Sequence, residues 1–212
     1  MSYITTTSAV RTTIVTSEDG SHTYAITKAF EGAEGDKAVI VLLYPRRTAE
    51  NFTSDDTTLN HLVSHMRDMS LRELTVINLF SKVVKAKLSA KGLTVDEDNL
   101  AFIESEIMSK KDFKDTKFIA AWGSSMETCK ACQNMKISLV KLFRKYAPKG
   151  TVYQLATPSM PDECCPHPLW FGIRCKFEKW YLTECKHLPE IVGEKKTAKK
   201  PKGREFVVLN SN

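Results

Sequence analysis

The sequence predicts an α/β protein: a three-layer α/β/α sandwich around a central, mainly parallel four-stranded sheet, with a β-hairpin at the N-terminus. Three observations predict it. Residues 38–44 (AVIVLLY), 74–80 (LTVINLF) and 117–122 (KFIAAW) are nearly unbroken apolar runs of strand length, the pattern of strands covered on both faces of a parallel sheet. Segments between and after them carry apolar residues at helical spacing. The alternation strand–helix–strand–helix–strand–helix–strand then requires crossover connections, which put helices on both faces of one sheet.

Taken in order, residues 10–17 and 22–30 are β-rich and flank Glu18-Asp19-Gly20-Ser21; Asp-Gly between such runs reads as a hairpin turn. The first buried strand, 38–44, stops at Pro45. Residues 56–70 place Leu59, Leu62, Val63, Met66 and Met69 on one stripe, and Asp55 or Asp56 can cap that helix. The second buried strand is 74–80. Thr94-x-x-Glu97 has the capping-box spacing ahead of Leu100, Ile103 and Ile107. After the third strand, Ser124-x-x-Glu127 opens a long helix that runs to Pro148-Lys149-Gly150. Residues 151–155 (TVYQL) form the fourth strand. Residues 176–192 read as a helix carrying Phe177, Trp180, Tyr181 and Leu188, and 205–209 offer a short strand.

A chain of 212 residues, 42% hydrophobic and 26% charged, has the composition of an ordinary globular domain, which excludes collagen-like, disordered and coiled-coil classes. It is read as a single domain, 1–212, and as a monomer. No apolar run approaches the roughly 18 residues of a membrane span, and the first residues show no secretory pattern, so a cytoplasmic location and no membrane partner are expected. The six cysteines, all after residue 128, are then expected to be reduced, buried thiols; neither a metal nor another cofactor is expected. The net charge of +6 is uneven. Lys195, Lys196, Lys199, Lys200, Lys202 and Arg204 put six cations into ten residues, and the segment 193–204 is expected to be mobile and to face a polyanion.

In sheets of this kind ligands bind beyond the carboxyl ends of the strands, and the unusual residues fall there. Tyr44, Pro45, Arg46 and Arg47 follow the first strand, with Asn51, Phe52, Asp55 and Asp56 behind them. Asn78 is a lone amide near the end of the second. Trp122-Gly123 ends the third, and Pro166-His167-Pro168-Leu169-Trp170 follows the fourth. Each has a structural explanation alone: the aspartates cap a helix, Asn78 bonds a loop, His167 braces a turn, the arginines are solvated. Their coincidence at corresponding strand ends points to one site.

Leu43-Tyr44-Pro45, Asp55-Asp56-Thr57, Asn78-Leu79-Phe80, Ala121-Trp122-Gly123 and His167-Pro168-Leu169 together resemble a bacterial, archaeal and phage domain family of unknown function with the pattern L-N-P-S, D-D-x-T, N-L-F, A-W-G, H-P-L. The resemblance covers about residues 10–175. That pattern in turn looks like the α/β uracil-DNA glycosylase superfamily. The resemblance implies that Asn78 reads a base, that His167 is the catalytic imidazole, that the first catalytic loop runs from Tyr44 to Asp56, and that Phe52 stacks on the extruded base. Tyr44 departs from the superfamily, which usually has Asp, Asn or Glu there. Asn51, Asp55 or Asp56 would replace that group, or hydrolysis would depend on His167 and the field of the site.

The implied reaction cleaves the N-glycosidic bond of an extruded base and leaves an abasic site in DNA. His167 and Asn78 would donate to the departing base, and an aspartate would stabilise the cationic sugar and orient water. Arg46, Arg47 and Ser124, with Lys195, Lys196, Lys199 and Lys200, would hold phosphates. The altered first loop suggests a modified base, such as a glucosylated hydroxymethylcytosine of phage DNA, and a part in defence against phage. The alternatives are a nucleoside or nucleotide N-glycoside hydrolase on the same scaffold, and a non-catalytic nucleic-acid reader.

Overall fold

Seven strands form one mixed sheet. In chain order they are β1 (Val10–Thr16), β2 (Thr23–Phe30), β3 (Asp36–Leu42), β4 (Leu71–Asn78), β5 (Lys117–Ala120), β6 (Val152–Ala156) and β7 (Tyr181–Glu184). The computed structural model describes residues 3–48, 50, 55–85 and 88–188. The order across the sheet is β1-β2-β4-β3-β5-β6-β7. The middle four strands, β4-β3-β5-β6, are mutually parallel, as the apolar runs predict. The sheet is nevertheless larger than four strands. The N-terminal hairpin does not stand apart: β2 pairs antiparallel with β4 and extends the sheet at one edge. At the other edge β7 pairs antiparallel with β6.

Among the described residues four α-helices accompany the sheet: α1 (Thr57–His65), α2 (Glu97–Phe102), α3 (Lys130–Tyr146) and α4 (Pro168–Arg174). Alternate residues of the strands feed two separate cores, as a two-residue period requires. Ile40, Leu42 and Val76 pack with Leu59 and Leu62 of α1 and Phe171 of α4. Val39, Val41 and Ile77 pack with Ile103, Leu139, Val140 and Phe143. Because the parallel strands are covered on both faces they cannot show an alternating pattern, which is why their sequences are continuously apolar.

Three boundaries differ from expectation. The helix predicted from Ser124 begins at Lys130, because Met126 takes φ +67° and the chain turns before the helix can start. The cap of α2 is Asp96, whose Oδ1 accepts from Asn99 N at 3.1 Å, rather than Thr94. The helix predicted over 176–192 does not form within the described residues. A helical stripe there would turn Phe177 inward with Trp180, yet Phe177 is 95% exposed and Trp180 fully buried. The chain instead turns after Cys175, plugs the α1–α4 core with Trp180 and enters β7. The expected strand 205–209 lies outside the described residues, as does the basic segment 193–204. No described helix is long and apolar enough to cross a membrane.

Candidate active site

A cavity of about 460 Å³ opens at the carboxyl ends of the parallel strands, within the size range of small-molecule sites. Tyr44, Arg46 and Arg47 reach it from the loop after β3, Asp56 and Thr57 from the start of α1, and Asn78 from the end of β4. Trp122, Ser125 and Met126 come from the loop after β5, and His167, Leu169 and Trp170 from the start of α4. Of the predicted residues, Tyr44, Arg46, Arg47, Asp56, Asn78 and His167 are brought together. Asp55 does not line the cavity. Ser124 is exposed beside it, its place on the wall taken by Ser125. Asn51, Phe52, Lys195, Lys196, Lys199 and Lys200 lie outside the described residues.

His167 is the N-cap of α4, with Pro168 at the first helical position, where its missing N–H costs no bond. Leu169 N donates to His167 Nδ1 at 3.2 Å. Nδ1 is therefore the unprotonated nitrogen of the neutral ring, and the proton sits on Nε2. Burial lowers the pKa of this imidazole to about 4; the Asp56 carboxylate opposes that shift and Arg46 adds to it. At neutral pH the ring is an uncharged N–H donor. Its position depends on Gly123, which has φ +71° and lies so close that a β-carbon there would stand 3.0 Å from His167 Cβ. Gly123 N also donates to Cys165 O at 2.9 Å, tying the Trp-Gly turn to the histidine loop.

Asn78 is 4% exposed, and its Oδ1 has no hydrogen-bond partner among the described residues. A buried orphan amide oxygen is costly unless a ligand completes it. The backbone around it is fixed by a residue that the sequence reading missed. Asn99 Nδ2 donates to the carbonyls of Asn78 (2.9 Å) and Leu79 (3.2 Å). Asp96 Oδ2 accepts from both N and Oγ of Ser81. The only sequence signal for this brace is the Asp96-x-x-Asn99 spacing, which reads equally well as an ordinary helix start.

The two aspartates separate into different roles. Asp56 Oδ1 accepts from Leu59 N at 2.8 Å and caps α1, while the residue lines the cavity. Asp55 Oδ1 lies 2.7 Å from Lys28 Nζ and 2.8 Å from Arg47 Nη1. Asp55, one of the carboxylates expected to serve the site, is therefore held in an ion cluster and does not line the cavity. Arg47, expected to hold a phosphate, is not a solvated arginine: the residue is 4% exposed. Arg46 is exposed at the rim, its guanidinium 5.9 Å over the Tyr44 ring and its Nη2 3.4 Å from Tyr44 Oη.

Cys129, Cys132, Cys165, Cys175 and Cys185 are buried and Cys164 is exposed. Among the described residues no group of three or more His, Cys, Asp or Glu is placed to hold a metal ion.

The family model described as a protein of unknown function, DUF1643, matches residues 24–169. The chain belongs to the DUF1643 family. The DUF1643 match begins in β2 and ends at Leu169, so it spans the cavity-lining segments from Tyr44 to His167 and leaves β1 and β7 outside. No curated protein and no solved structure matches the chain.

Proposed function

We propose that the protein is a DNA glycosylase that hydrolyses the N-glycosidic bond of an extruded, modified base and leaves an abasic site. One observation carries the reading: a neutral imidazole N–H donor, an orphan buried amide and a carboxylate share one cavity at the strand ends. Glycosidic cleavage can use all three groups. Negative charge grows on the departing base, and a preorganised donor such as His167 Nε2–H stabilises it in a dry site. A cationic sugar develops, and Asp56 supplies the opposing charge and orients water. The base edge must be read once it has left the stack, and the Asn78 amide suits that task. At the rim Arg46 lies over the Tyr44 ring, a departure from the uracil-DNA glycosylase pattern that leads us to a modified base rather than plain uracil. The parallel core with helices against both faces fits the three-layer arrangement of the uracil-DNA glycosylase superfamily. Excision of a base from phage DNA would make the protein a defence factor.

The test is to incubate the full chain with DNA bearing uracil, 5-hydroxymethylcytosine, its glucosylated form or 5-carboxylcytosine, and to look for alkali-labile breaks. Mass spectrometry of bases released from phage genomic DNA identifies the substrate. No release from any DNA by a folded protein refutes the reading, and release from free nucleotides alone moves it to a nucleoside hydrolase on the same scaffold.

A further inference from the structure

The cavity carries a positive charge that the proposed chemistry does not use. Arg47 Nη1 and Lys28 Nζ both contact the same oxygen, Asp55 Oδ1. The side chains of Arg47, Lys28 and Asp55 are 5, 6 and 18% exposed respectively. Two cations against one carboxylate leave one net positive charge inside the protein. Among the described residues, Nε and Nη2 of Arg47 are buried and have no partner, and neither has Oγ1 of the adjacent Thr48. Arg47 is more than nine-tenths buried and is one of the residues lining the cavity.

Uncompensated buried charge is costly, and a folded domain retains it where a ligand completes it. Guanidinium is specific in what it completes. Its N–H groups form a planar fork that matches two oxygens of a carboxylate or phosphate, and it has no acceptor for anything else. Lys28 holds Asp55 from the other side and donates to Thr12 Oγ1 at 2.8 Å. Asp55 therefore cannot neutralise Arg47 fully, and the fork stays fixed and electrically hungry.

We propose that Arg47 is an oxyanion-binding residue of the cavity, so that the ligand taken there presents a carboxylate or phosphate group alongside the base edge read by Asn78. This deepens the base-excision reading and rests on it for the presence of a base. Lys28 is a positioning residue, acting through Asp55.

Calorimetric titration of the full chain with uracil, uracil-5-carboxylate, uridine 5′-monophosphate and inorganic phosphate tests it. An anionic probe is expected to bind roughly 10- to 100-fold tighter than uracil, as hydrogen bonds to a charged group allow, with inorganic phosphate competing. A gain for the carboxylate assigns the oxyanion to the base; a gain for the monophosphate alone assigns it to the nucleotide backbone. Arg47→Lys keeps the charge but not the fork and should lose the gain. Lys28→Met leaves a neutral Arg47–Asp55 pair and should reduce it. Equal affinity of the wild type for uracil and both anionic probes, absence of binding by all four, or a gain that survives Arg47→Lys overturns the proposal. Uracil and its carboxylate have no glycosidic bond, so a selective gain without base release from any DNA would keep the oxyanion site and end the glycosylase reading.

Discussion

A histidine that stays neutral is an N–H donor at neutral pH, and that makes His167 testable by titration. In the unfolded chain the ring takes a proton below its ordinary value of 6.5, whereas in the folded protein burial delays this to about 4. Between these values acid favours the unfolded state. Stability should rise with pH from about 4 to 6.5 and be flat above, by up to ~3 kcal/mol. Urea melts at pH 4, 5, 6 and 7 should show this slope in the wild type and lose it in His167→Asn. Base release should persist to about pH 5 and fall as the ring is protonated. Asp56 separates cap from chemistry in the same spirit. Asp56→Ala should cost about 1 kcal/mol, while Asp56→Ser restores the cap. Both should slow base release by roughly 100-fold or more in single-turnover assays. Which aspartate faces the cavity was not legible in the sequence. Asp55 and Asp56 are adjacent and both can cap, and only the position of Lys28 on the neighbouring strand commits Asp55 to an ion cluster. The place of Asn78 was legible because it is a lone amide at the end of an apolar strand, and that of His167 because its loop follows the fourth strand.

At the scale of elements, the α1–α4 contact sets the mouth of the cavity. A β-carbon on Gly172 would run into the His61 ring, so the two helices touch through a missing side chain. Gly172→Ala should force them apart and destabilise by about 1–3 kcal/mol, read as a lower thermal midpoint. It should also weaken substrate binding, because α1 carries Asp56 at its start and α4 carries His167. Three of the four parallel strands were legible as apolar runs, and the fourth, residues 151–155 (TVYQL), as a short β-rich segment after the long helix. Helix α4 was not, although Pro168 behind a capping residue is a recognisable start signal. It is only seven residues long and follows a loop rich in proline and cysteine, which hid its periodicity. The misassigned helix over 176–192 arose from four apolar residues whose spacing fits a helix but whose burial obeys the turn and β7 instead.

For the whole molecule, the sequence concentrates six cations between Lys195 and Arg204. If the protein is the proposed glycosylase and these cations hold phosphates, deleting 194–204 should weaken DNA binding while leaving turnover of saturating DNA unchanged. The dependence of affinity on salt should become shallower by roughly 0.7–0.9 in the log–log slope for each phosphate that the deletion leaves unneutralised. Gel-shift titrations from 50 to 200 mM salt would measure it. An unchanged slope would mean that the tail does not touch DNA.

The cavity walls come from chain segments spread between Ile26 and Ile173, and the strands β3, β4 and β5 that carry most of them meet through parallel pairings that each wait on a crossover. Such non-local pairings are slow to form, because the loop between partners must close before the pairing can stabilise anything. Base-excision competence should therefore be the last property to return on refolding from urea, lagging the recovery of helical signal. A nascent chain that ends before Pro166 would hold Asn78 and Asp56 but lack the whole α4 wall, His167 to Ile173, and the Trp180 that fills the core beneath it.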